Sequence, residues 1–221
     1  MGAHGMRALE DAAARLTLPP GAALRFSAVG EIAGDVAASL PPDLARAAPR
    51  RQAGFAAGRR AAARAVAAAG GGITAVGMGA DRLPLWPPGW IGSITHTDDV
   101  AAAVVAPARA VRILGLDLEP IMPDALATQI APQIVPEGLS PSDLPPGVEL
   151  TRAFSAKEAL YKALFPETRQ IREFSAATYA KDGGAPVLTL SDDWGQDWPR
   201  GTVLRAGQAV AAGHVLTVLW R

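Results

Sequence analysis

The pattern of apolar and polar positions predicts two substantial helices. Alanine and arginine dominate residues 50–69, where Pro49 marks the start of the continuous part and the glycines at 70–72 end it. The second helix is expected over residues 152–165, with Pro166 as its stop. Both segments are long enough to form the main helical packing surface of a domain.

Short apolar runs predict strands around these helices. Runs at 90–95 and 100–105 flank a short polar connection and predict a hairpin-like pair, and residues 111–118 predict a third strand. Proline and acids crowd residues 120–147, which predicts a short helix or a functional flap. The other strand candidates are residues 23–29, 174–180, 186–190, 202–206, 209–212 and 214–220. Residues 23–29 are the first structured run expected in the chain.

The order of these elements predicts a mixed α+β fold. Each half of the chain holds one substantial helix followed by several strands, with the centre near residue 110, although no repeat of fixed period is visible. A helical bundle and a regular strand–helix alternation both fit this order poorly. We therefore expect an N-terminal half over residues 1–110 and a C-terminal half over residues 111–221.

Composition removes several classes of function. The 221 residues carry no cysteine, which excludes disulfides, thiolate metal sites and a cysteine nucleophile. Twenty-one acidic residues balance 21 lysines and arginines, which argues against a general nucleic-acid binder. No charge-free apolar run of membrane-spanning length occurs, and the N-terminus lacks the apolar core of a signal peptide. We expect a cytoplasmic globular protein.

The strand ending at Glu119 carries the first candidate chemistry. Asp117 and Glu119 flank Leu118, so a strand places both carboxylates on one face, about 6 to 7 Å apart along the chain. Two such carboxylates repel each other unless a cation lies between them, and Mg²⁺ suits oxygen ligands of this kind. The alternative is a solvated strand end before Pro120.

The second helix carries the next candidates. Glu158 and Lys162 are four residues apart and therefore share one helical face. In one interpretation they form an ordinary surface ion pair, worth roughly 0.3 to 0.5 kcal/mol. In the other, Glu158 is a third metal ligand and Lys162 meets a phosphate.

Basic and hydroxyl side chains complete the candidate site. His96 lies in a turn among Ser93, Thr95 and Thr97, which suits phosphate contacts, although all three hydroxyl residues are also ordinary turn residues. Arg51 and Arg59 lie close to two turns apart on the first helix, and nearby arginines at 60 and 64 fit a solvated face better. Taken together, acids, a lysine, a histidine and paired arginines suit a diphosphate-containing substrate with a further phosphate.

Five motifs in order resemble the 4′-phosphopantetheinyl transferases, and most closely their monomeric branch of enterobactin-synthetase type. The likeness runs from about residue 40 to 166, with a family-like ending over 214–220. The motifs are Arg51…Phe55…Gly58-Arg59, Pro84…Trp86-Pro87, Gly92-Ser93-Ile94-Thr95-His96, Gly115-Leu116-Asp117-Leu118-Glu119 and Phe154-Ser155-Ala156-Lys157-Glu158-Ala159…Lys162.

The resemblance implies transfer of the phosphopantetheine arm of coenzyme A to a serine of an acyl or peptidyl carrier protein, with release of 3′,5′-ADP. It implies a monomer with two halves related by pseudo-twofold symmetry, each a long helix on a small, mostly antiparallel sheet, and an active site at their interface. Which carrier is modified stays open among fatty-acid, polyketide, nonribosomal-peptide and siderophore pathways.

The resemblance also assigns roles to residues. Mg²⁺, or Mn²⁺ in its place, would be held by Asp117, Glu119 and Glu158. Coenzyme A would be bound through its phosphates; the residues assigned to it are Arg51, Arg59, Thr95, His96, Lys157 and Lys162. The catalytic set would be Glu119, Glu158 and Lys162, and the serine proton would go to Glu119, to Glu158 through a water, or to an acid of the 120–147 segment such as Glu137.

Two departures from the family pattern stand out. Gly54 occupies a helix position where relatives often carry glutamate, and glycine there costs about 1 kcal/mol of helix propensity relative to alanine. The lysine that often precedes the Pro84 motif is absent, and Arg82 is the candidate substitute. Two other functions stay open: a coenzyme A-binding or carrier-binding protein without activity, and an unrelated nucleotide-dependent phosphotransferase.

Overall fold

The computed structural model describes residues 1–30, 41–72 and 75–221. Its helices are α1 (Ala3–Ala13), α2 (Pro42–Ala45), α3 (Pro49–Ala68), α4 (Asp124–Ile134) and α5 (Pro146–Thr168). Its strands are β1 (Ala23–Ala28), β2 (Gly77–Met78), β3 (Pro84–Leu85), β4 (Trp90–His96), β5 (Val100–Pro107), β6 (Leu114–Pro120), β7 (Ala177–Asp182), β8 (Ala185–Leu190), β9 (Val203–Ala211) and β10 (His214–Trp220). No described helix has the length and apolar character needed to cross a membrane.

The strands form two antiparallel sheets and a small hairpin, which confirms the mixed α+β class. The first sheet has the order β1-β5-β4 and packs against α3, and the second has the order β6-β10-β9-β8-β7 and packs against α5. Strands β2 and β3 pair only with each other. The first sheet and the hairpin come from residues 23–107 and the second sheet from residues 114–220. The division at residue 110 and the pseudo-twofold relation stay predictions.

The first long helix lies close to its expected position. Helix α3 begins at Pro49, where the missing N–H of proline costs no helical hydrogen bond, and it ends just before Gly70, whose φ is +93°. Its buried face consists mainly of alanine and glycine, so the helix approaches the sheet closely. A Cβ added at Gly58 would lie 2.9 Å from Cγ2 of Ile94.

The second long helix extends beyond its expected limits at both ends. Helix α5 starts at Pro146 and continues through Pro166 to Thr168. The extra first turn carries Glu149, which reads as a surface residue but is buried and accepts hydrogen bonds from Lys181. Its partner is distant in sequence, so local pattern alone could not place it.

Other segments differ from expectation in instructive ways. Helix α1 lies where an unstructured start was expected, and it is held by its fully buried Leu9. The expected runs at 202–206 and 209–212 form one strand, β9, because its first part pairs with β8 and its second part with β10. The 120–147 segment contains the short helix α4, as expected.

The two sheets meet through side-chain hydroxyls. The Ser93 hydroxyl accepts a hydrogen bond from the backbone N–H of Leu116 at 3.0 Å, and the Thr95 hydroxyl accepts one from Leu118 at 3.2 Å. Both contacts have the same offset in sequence, so β4 and β6 run parallel. These buried hydroxyls replace the backbone carbonyl acceptors that a paired neighbouring strand would supply.

Helix α5 crosses β6 at Gly115 with almost no separation. A Cβ added at Gly115 would lie 1.9 Å from the backbone oxygen of Ala159. We therefore expect Gly115→Ala to destabilise the fold by about 3 kcal/mol or more, because neither backbone segment can yield easily. Urea unfolding measures this loss. Gly207→Ala is the matched control, since its nearest neighbour would be a side-chain carbon at 3.5 Å; equal stability losses in both variants would contradict the packing argument.

Candidate active site

The centre of the site is a buried ion pair between β6 and α5. Asp117 is fully buried in β6, and its Oδ1 accepts a hydrogen bond from Nζ of Lys162 at 2.6 Å. The same ammonium group lies 3.3 Å from the Thr95 hydroxyl. Lys162 thus pairs with Asp117. The interpretation as a surface ion pair would instead require Lys162 to pair with Glu158. The pair lies directly beside the hydroxyl junction of the two sheets.

Two further carboxylates surround this pair. Burial, with smaller contributions from Asp117 and Glu158, raises the pKa of Glu119 to about 7, and Lys162 opposes that shift. The pKa of Glu158 is also raised, again mainly by burial, with Asp117 adding to the shift. The predicted acids therefore lie close enough to interact. One lysine among them leaves a concentration of negative charge that a cation would relieve.

The chemistry of these residues fits a divalent cation. Oδ2 of Asp117 is buried and has no hydrogen-bond partner among the described residues, which leaves an oxygen free to coordinate. Carboxylate oxygens are also the ligands that Mg²⁺ prefers. However, within the described ranges no group of three or more histidine, aspartate and glutamate side chains is already arranged to hold a metal. The assignment of Asp117, Glu119 and Glu158 to Mg²⁺ therefore stays a prediction.

A cationic cleft opens beside the carboxylates. It has a volume of about 240 Å³ and brings together three of the predicted phosphate-binding residues, Arg51, Arg82 and His96. Burial lowers the pKa of His96, and the charge of Lys162 lowers it further, so the ring is neutral at pH 7. The cleft therefore offers two guanidinium groups and one neutral imidazole.

Glycine at position 54 has a structural explanation. A Cβ there would lie 3.0 Å from Nδ1 and 3.1 Å from Cε1 of His96, so the imidazole ring occupies the space above the helix backbone. Glycine at position 54 lowers the helix propensity, but it allows His96, which lines the cleft, to pack closely against the helix. The sequence identified Gly54 as a departure but not this contact.

Arg59 lies in a neighbouring cleft of about 280 Å³, which shares Phe55 and Met78 with the first. Its guanidinium carbon is 4.5 Å from the centre of the Phe55 ring, and its buried Nε has no hydrogen-bond partner among the described residues. Burial lowers the pKa of Arg59 to about 10, which still leaves it charged at pH 7. Arg59 thus lies next to Arg51 and His96 but is not in the same cleft.

The arginines at 60 and 64 bind the first sheet. Arg60 donates to the Ser27 hydroxyl at 3.3 Å and to the backbone oxygen of Ala28 at 3.1 Å. Arg64 donates to the backbone oxygen of Phe26 at 3.4 Å. The solvated face expected for these two residues is therefore replaced by contacts with β1.

A third cleft, of about 270 Å³, joins the lysine to the hairpin β2–β3. Lys162 and Arg82 are among its lining residues, together with the apolar surfaces of Tyr161 and Phe165, whose rings stack 5.2 Å apart. Sequence reasoning missed these two aromatic residues. Their spacing of four residues, next to Lys162 on the same helix, was the available signal.

Lys157 is not placed with the other predicted coenzyme A-binding residues. Its Nζ donates to the backbone oxygens of Ile134 and Phe174 and to Oε1 of Glu137, at 2.8, 3.0 and 3.0 Å. Every ammonium proton therefore has a partner within the protein. Oε1 of Glu137 also accepts from the backbone N–H of Tyr179, so this acid too is held away from the candidate site.

All three hydroxyl residues around His96 have structural partners, and that of Ser93 is the backbone N–H of Leu116. Thr95 is buried in the junction between the sheets, where it accepts from Leu118. The Thr97 hydroxyl accepts hydrogen bonds within its own turn, from the backbone N–H groups of Asp99 and Val100. Ring Nδ1 of His214 lies 2.8 Å from the backbone oxygen of Ala212, which fits the structural role expected for it.

The α+β fold holds a cluster of carboxylates beside clefts lined by arginine, lysine and histidine. These features define a class of protein that binds a phosphate-rich ligand together with a cation. Comparison with known proteins identifies the family. Residues 40–106 match the 4′-phosphopantetheinyl transferase N-terminal domain, and residues 113–218 match the 4′-phosphopantetheinyl transferase superfamily. The chain belongs to this superfamily, which confirms the resemblance seen in the sequence.

Several relatives support that assignment. The 4′-phosphopantetheinyl transferase Npt of Nocardia iowensis is 34% identical over 179 residues, which cover 68% of this chain and 80% of that protein. Enterobactin synthase component D of Salmonella typhimurium is 44% identical over 118 residues, covering 52% of this chain and 48% of that protein. The 4′-phosphopantetheinyl transferase PptT of Mycobacterium tuberculosis is 34% identical over 146 residues, which cover 62% of this chain and 64% of that protein. The chain thus spans about half the length of the enterobactin synthase relatives it matches.

The contacts of Lys157 predict a structural role. We expect Lys157→Met to lower the free energy of unfolding by about 3 kcal/mol, because the change leaves Glu137 and two carbonyl groups without their shared donor. Thermal and urea unfolding measure this loss. Arg205→Met, which removes one partner of an exposed ion pair, is the control. Unchanged stability in Lys157→Met would contradict the assignment.

The raised pKa of Glu119 predicts a pH-dependent stability. The folded protein holds a proton on Glu119 up to about pH 7, whereas the ordinary value is 4.5, so this contribution is present at low pH and is lost as the pH rises through 7. In chelator, Glu119→Gln should be more stable than the parent protein at pH 8 by about 1 kcal/mol, after allowance for solvent screening.

Urea unfolding at pH 5 and pH 8 checks this expectation. The parent protein should lose more stability over that interval than Glu119→Gln, whereas the exposed substitution Glu10→Gln should follow the parent protein. Parallel pH profiles for the parent and Glu119→Gln would show that Glu119 titrates at its ordinary value.

Proposed function

We propose that this protein transfers the 4′-phosphopantetheine group of coenzyme A to a serine hydroxyl of an acyl or peptidyl carrier protein and releases 3′,5′-ADP. The observation that carries the proposal is the buried Asp117–Lys162 pair, which interacts with Glu119, with Glu158 and, through Lys162, with His96 of the cationic cleft. The relatives from Nocardia and Mycobacterium are 4′-phosphopantetheinyl transferases, which supports the same activity. A cytoplasmic monomer stays the expected form.

Asp117, Glu119 and Glu158 are the residues that would hold Mg²⁺, or Mn²⁺ in its place. The unpartnered Oδ2 of Asp117 and the raised pKa of each glutamate support this assignment. When bound, the cation supplies charge neutralisation for the diphosphate of coenzyme A. The three carboxylates also become stable in their ionised form, which their mutual repulsion otherwise opposes.

The cationic side chains bind and orient the coenzyme A phosphates. Lys162 lies closest to the carboxylates and is assigned to the diphosphate, whereas Arg51, His96 and, across Phe55, Arg59 are assigned to the phosphates that include the 3′-phosphate. Neutral His96 donates one hydrogen bond without adding charge. Arg82 lines both the cationic cleft and the apolar one, so it can contact either end of the nucleotide.

The apolar cleft is assigned to the pantetheine arm. Tyr161 and Phe165 form its wall beside Lys162, and the space of about 270 Å³ suits an extended, mainly apolar chain. This placement directs the arm away from Arg51 and Arg59 and leaves the reacting phosphorus near Lys162. Positioning of this kind contributes much of the rate in phosphoryl transfer.

The reaction exchanges one phosphorus–oxygen bond for another. The serine oxygen forms a bond to the phosphorus that carries pantetheine, and the bond from that phosphorus to the bridging oxygen breaks, so the electron pair leaves with 3′,5′-ADP. Glu119, or Glu158 through a water, takes the serine proton. Glu137 is a poorer acceptor than these two glutamates, because Lys157 and Tyr179 already donate to its Oε1.

Mass spectrometry tests the proposal directly. The purified protein, coenzyme A and Mg²⁺ should add one phosphopantetheine group to the serine of an acyl or peptidyl carrier protein, with 3′,5′-ADP as the second product. A panel drawn from fatty-acid, polyketide, nonribosomal-peptide and siderophore systems identifies the carrier. Binding of coenzyme A without transfer to any member would favour a binding protein, and absence of both would reject the proposal.

The metal assignment predicts the effect of a single oxygen. Asp117→Asn keeps the shape of the side chain but removes its charge, and we expect the transfer rate to fall by about 100-fold or more. Circular dichroism should show an intact fold. Asp182→Asn is the matched control at an exposed ion pair and should leave the rate unchanged. Near-normal turnover in Asp117→Asn, or full activity in chelator, would contradict the metal assignment.

A further inference from the structure

An ion pair joins the hairpin β2–β3 to the end of helix α5. Nη1 of Arg169 donates to Oδ2 of Asp81, although the two residues are 88 positions apart. The two side chains retain 52% and 44% of their exposure, so the contact lies at the surface. It spans the apolar cleft, because Asp81 lines one side of this cleft and the last turns of α5 line another.

Local hydrogen bonds fix the backbone at both ends of the pair. Oδ1 of Asp81 accepts a hydrogen bond from the backbone N–H of Leu83 at 3.1 Å, and a Cβ at Gly79 would lie only 2.6 Å from this oxygen. Arg169 caps α5 in the left-handed conformation, with φ of +56°, and its N–H donates to the backbone oxygen of Phe165 at 2.9 Å. The local geometry therefore holds both charged groups in place before they meet, which reduces the entropy lost in pairing.

Arg82 depends on the same hairpin. It lies next to Asp81, and its φ of +65° is unfavourable for a residue with a side chain. Its N–H donates to the backbone oxygen of Gly79 at 2.9 Å, which closes the tight turn. Because β2 and β3 pair only with each other, the contact with Arg169 is an anchor for this turn on the second half of the chain.

We propose that Asp81 and Arg169 are positioning residues that strap the hairpin to α5 and so direct Arg82 toward the phosphates of coenzyme A. The inference rests on the proposed function and adds a specific determinant of coenzyme A affinity. The strap touches neither the buried carboxylates nor Lys162, so it acts on binding of coenzyme A and not on the bond-making step. The carrier protein is bound equally well with or without it.

A second exposed pair serves as the comparison. Arg205 and Asp182 form an ion pair of similar exposure at 2.8 Å, between β9 and β7 on the second sheet. Neither residue lines any of the three clefts described above. Loss of this pair removes a surface contact of the same kind without affecting Arg82.

A double-mutant cycle tests the inference. Asp81→Asn preserves the acceptor for Leu83 but removes the charge, and Arg169→Met removes the donor while keeping much of the apolar stem. Each variant should raise the KM for coenzyme A about two- to five-fold, as expected for loss of an exposed pair, with kcat and the KM for the carrier unchanged. The double variant should be no worse than either single variant, and Asp182→Asn should match the parent protein.

Titration calorimetry with coenzyme A alone separates this inference from the proposed function. The Kd for coenzyme A should rise by the same factor as the KM, which a purely structural contact would not produce. Additive losses, a fall in kcat alone, or a coenzyme A affinity equal to that of Asp182→Asn would overturn the strap. If the parent protein binds coenzyme A but transfers nothing, the proposed function fails while the binding arm of this test still reports on the strap.

Discussion

The buried pair of Asp117 and Lys162 is the constraint on which the surrounding structure depends. A carboxylate with no exposed surface needs a partner, and α5 supplies one by lying almost in contact with β6. Gly115 permits this approach, because its missing side chain lets the strand backbone reach the helix. The hydroxyl of Thr95 then serves both the neighbouring strand and the lysine, which ties the first sheet to the same pair.

This arrangement concentrates negative charge that the protein alone does not balance. Lys162 neutralises one carboxylate. Burial, together with the charge of Asp117, raises the pKa of both Glu119 and Glu158. The well-packed core between α5 and the second sheet holds these groups together despite their repulsion, since separation would require α5 to move away from β6. The protein thus holds repelling carboxylates in fixed positions, where a bound cation and its anionic ligand would reduce the repulsion.

Local pattern in the sequence was sufficient for features that depend on near neighbours. The helix after Pro49, the hairpin around residues 97–99 and the shared face of Asp117 and Glu119 all follow from spacing alone. Features that depend on distant partners were missed or misassigned. Lys157 reads as a ligand-binding lysine beside Glu158, yet its partners come from α4 and from the segment that follows α5. The extra turn of α5 is similar, because Glu149 is stabilised by Lys181 on another element.

The missing side chain at position 54 links two positions that are far apart in the chain. The ring of His96 fills the volume into which any larger residue on α3 would project, so neither position can change freely while the other stays fixed. A glutamate introduced at 54 would have to be preceded or accompanied by a shift or replacement of the imidazole. The two sites are therefore epistatic, and the order in which substitutions arise would determine which of them a lineage can accept.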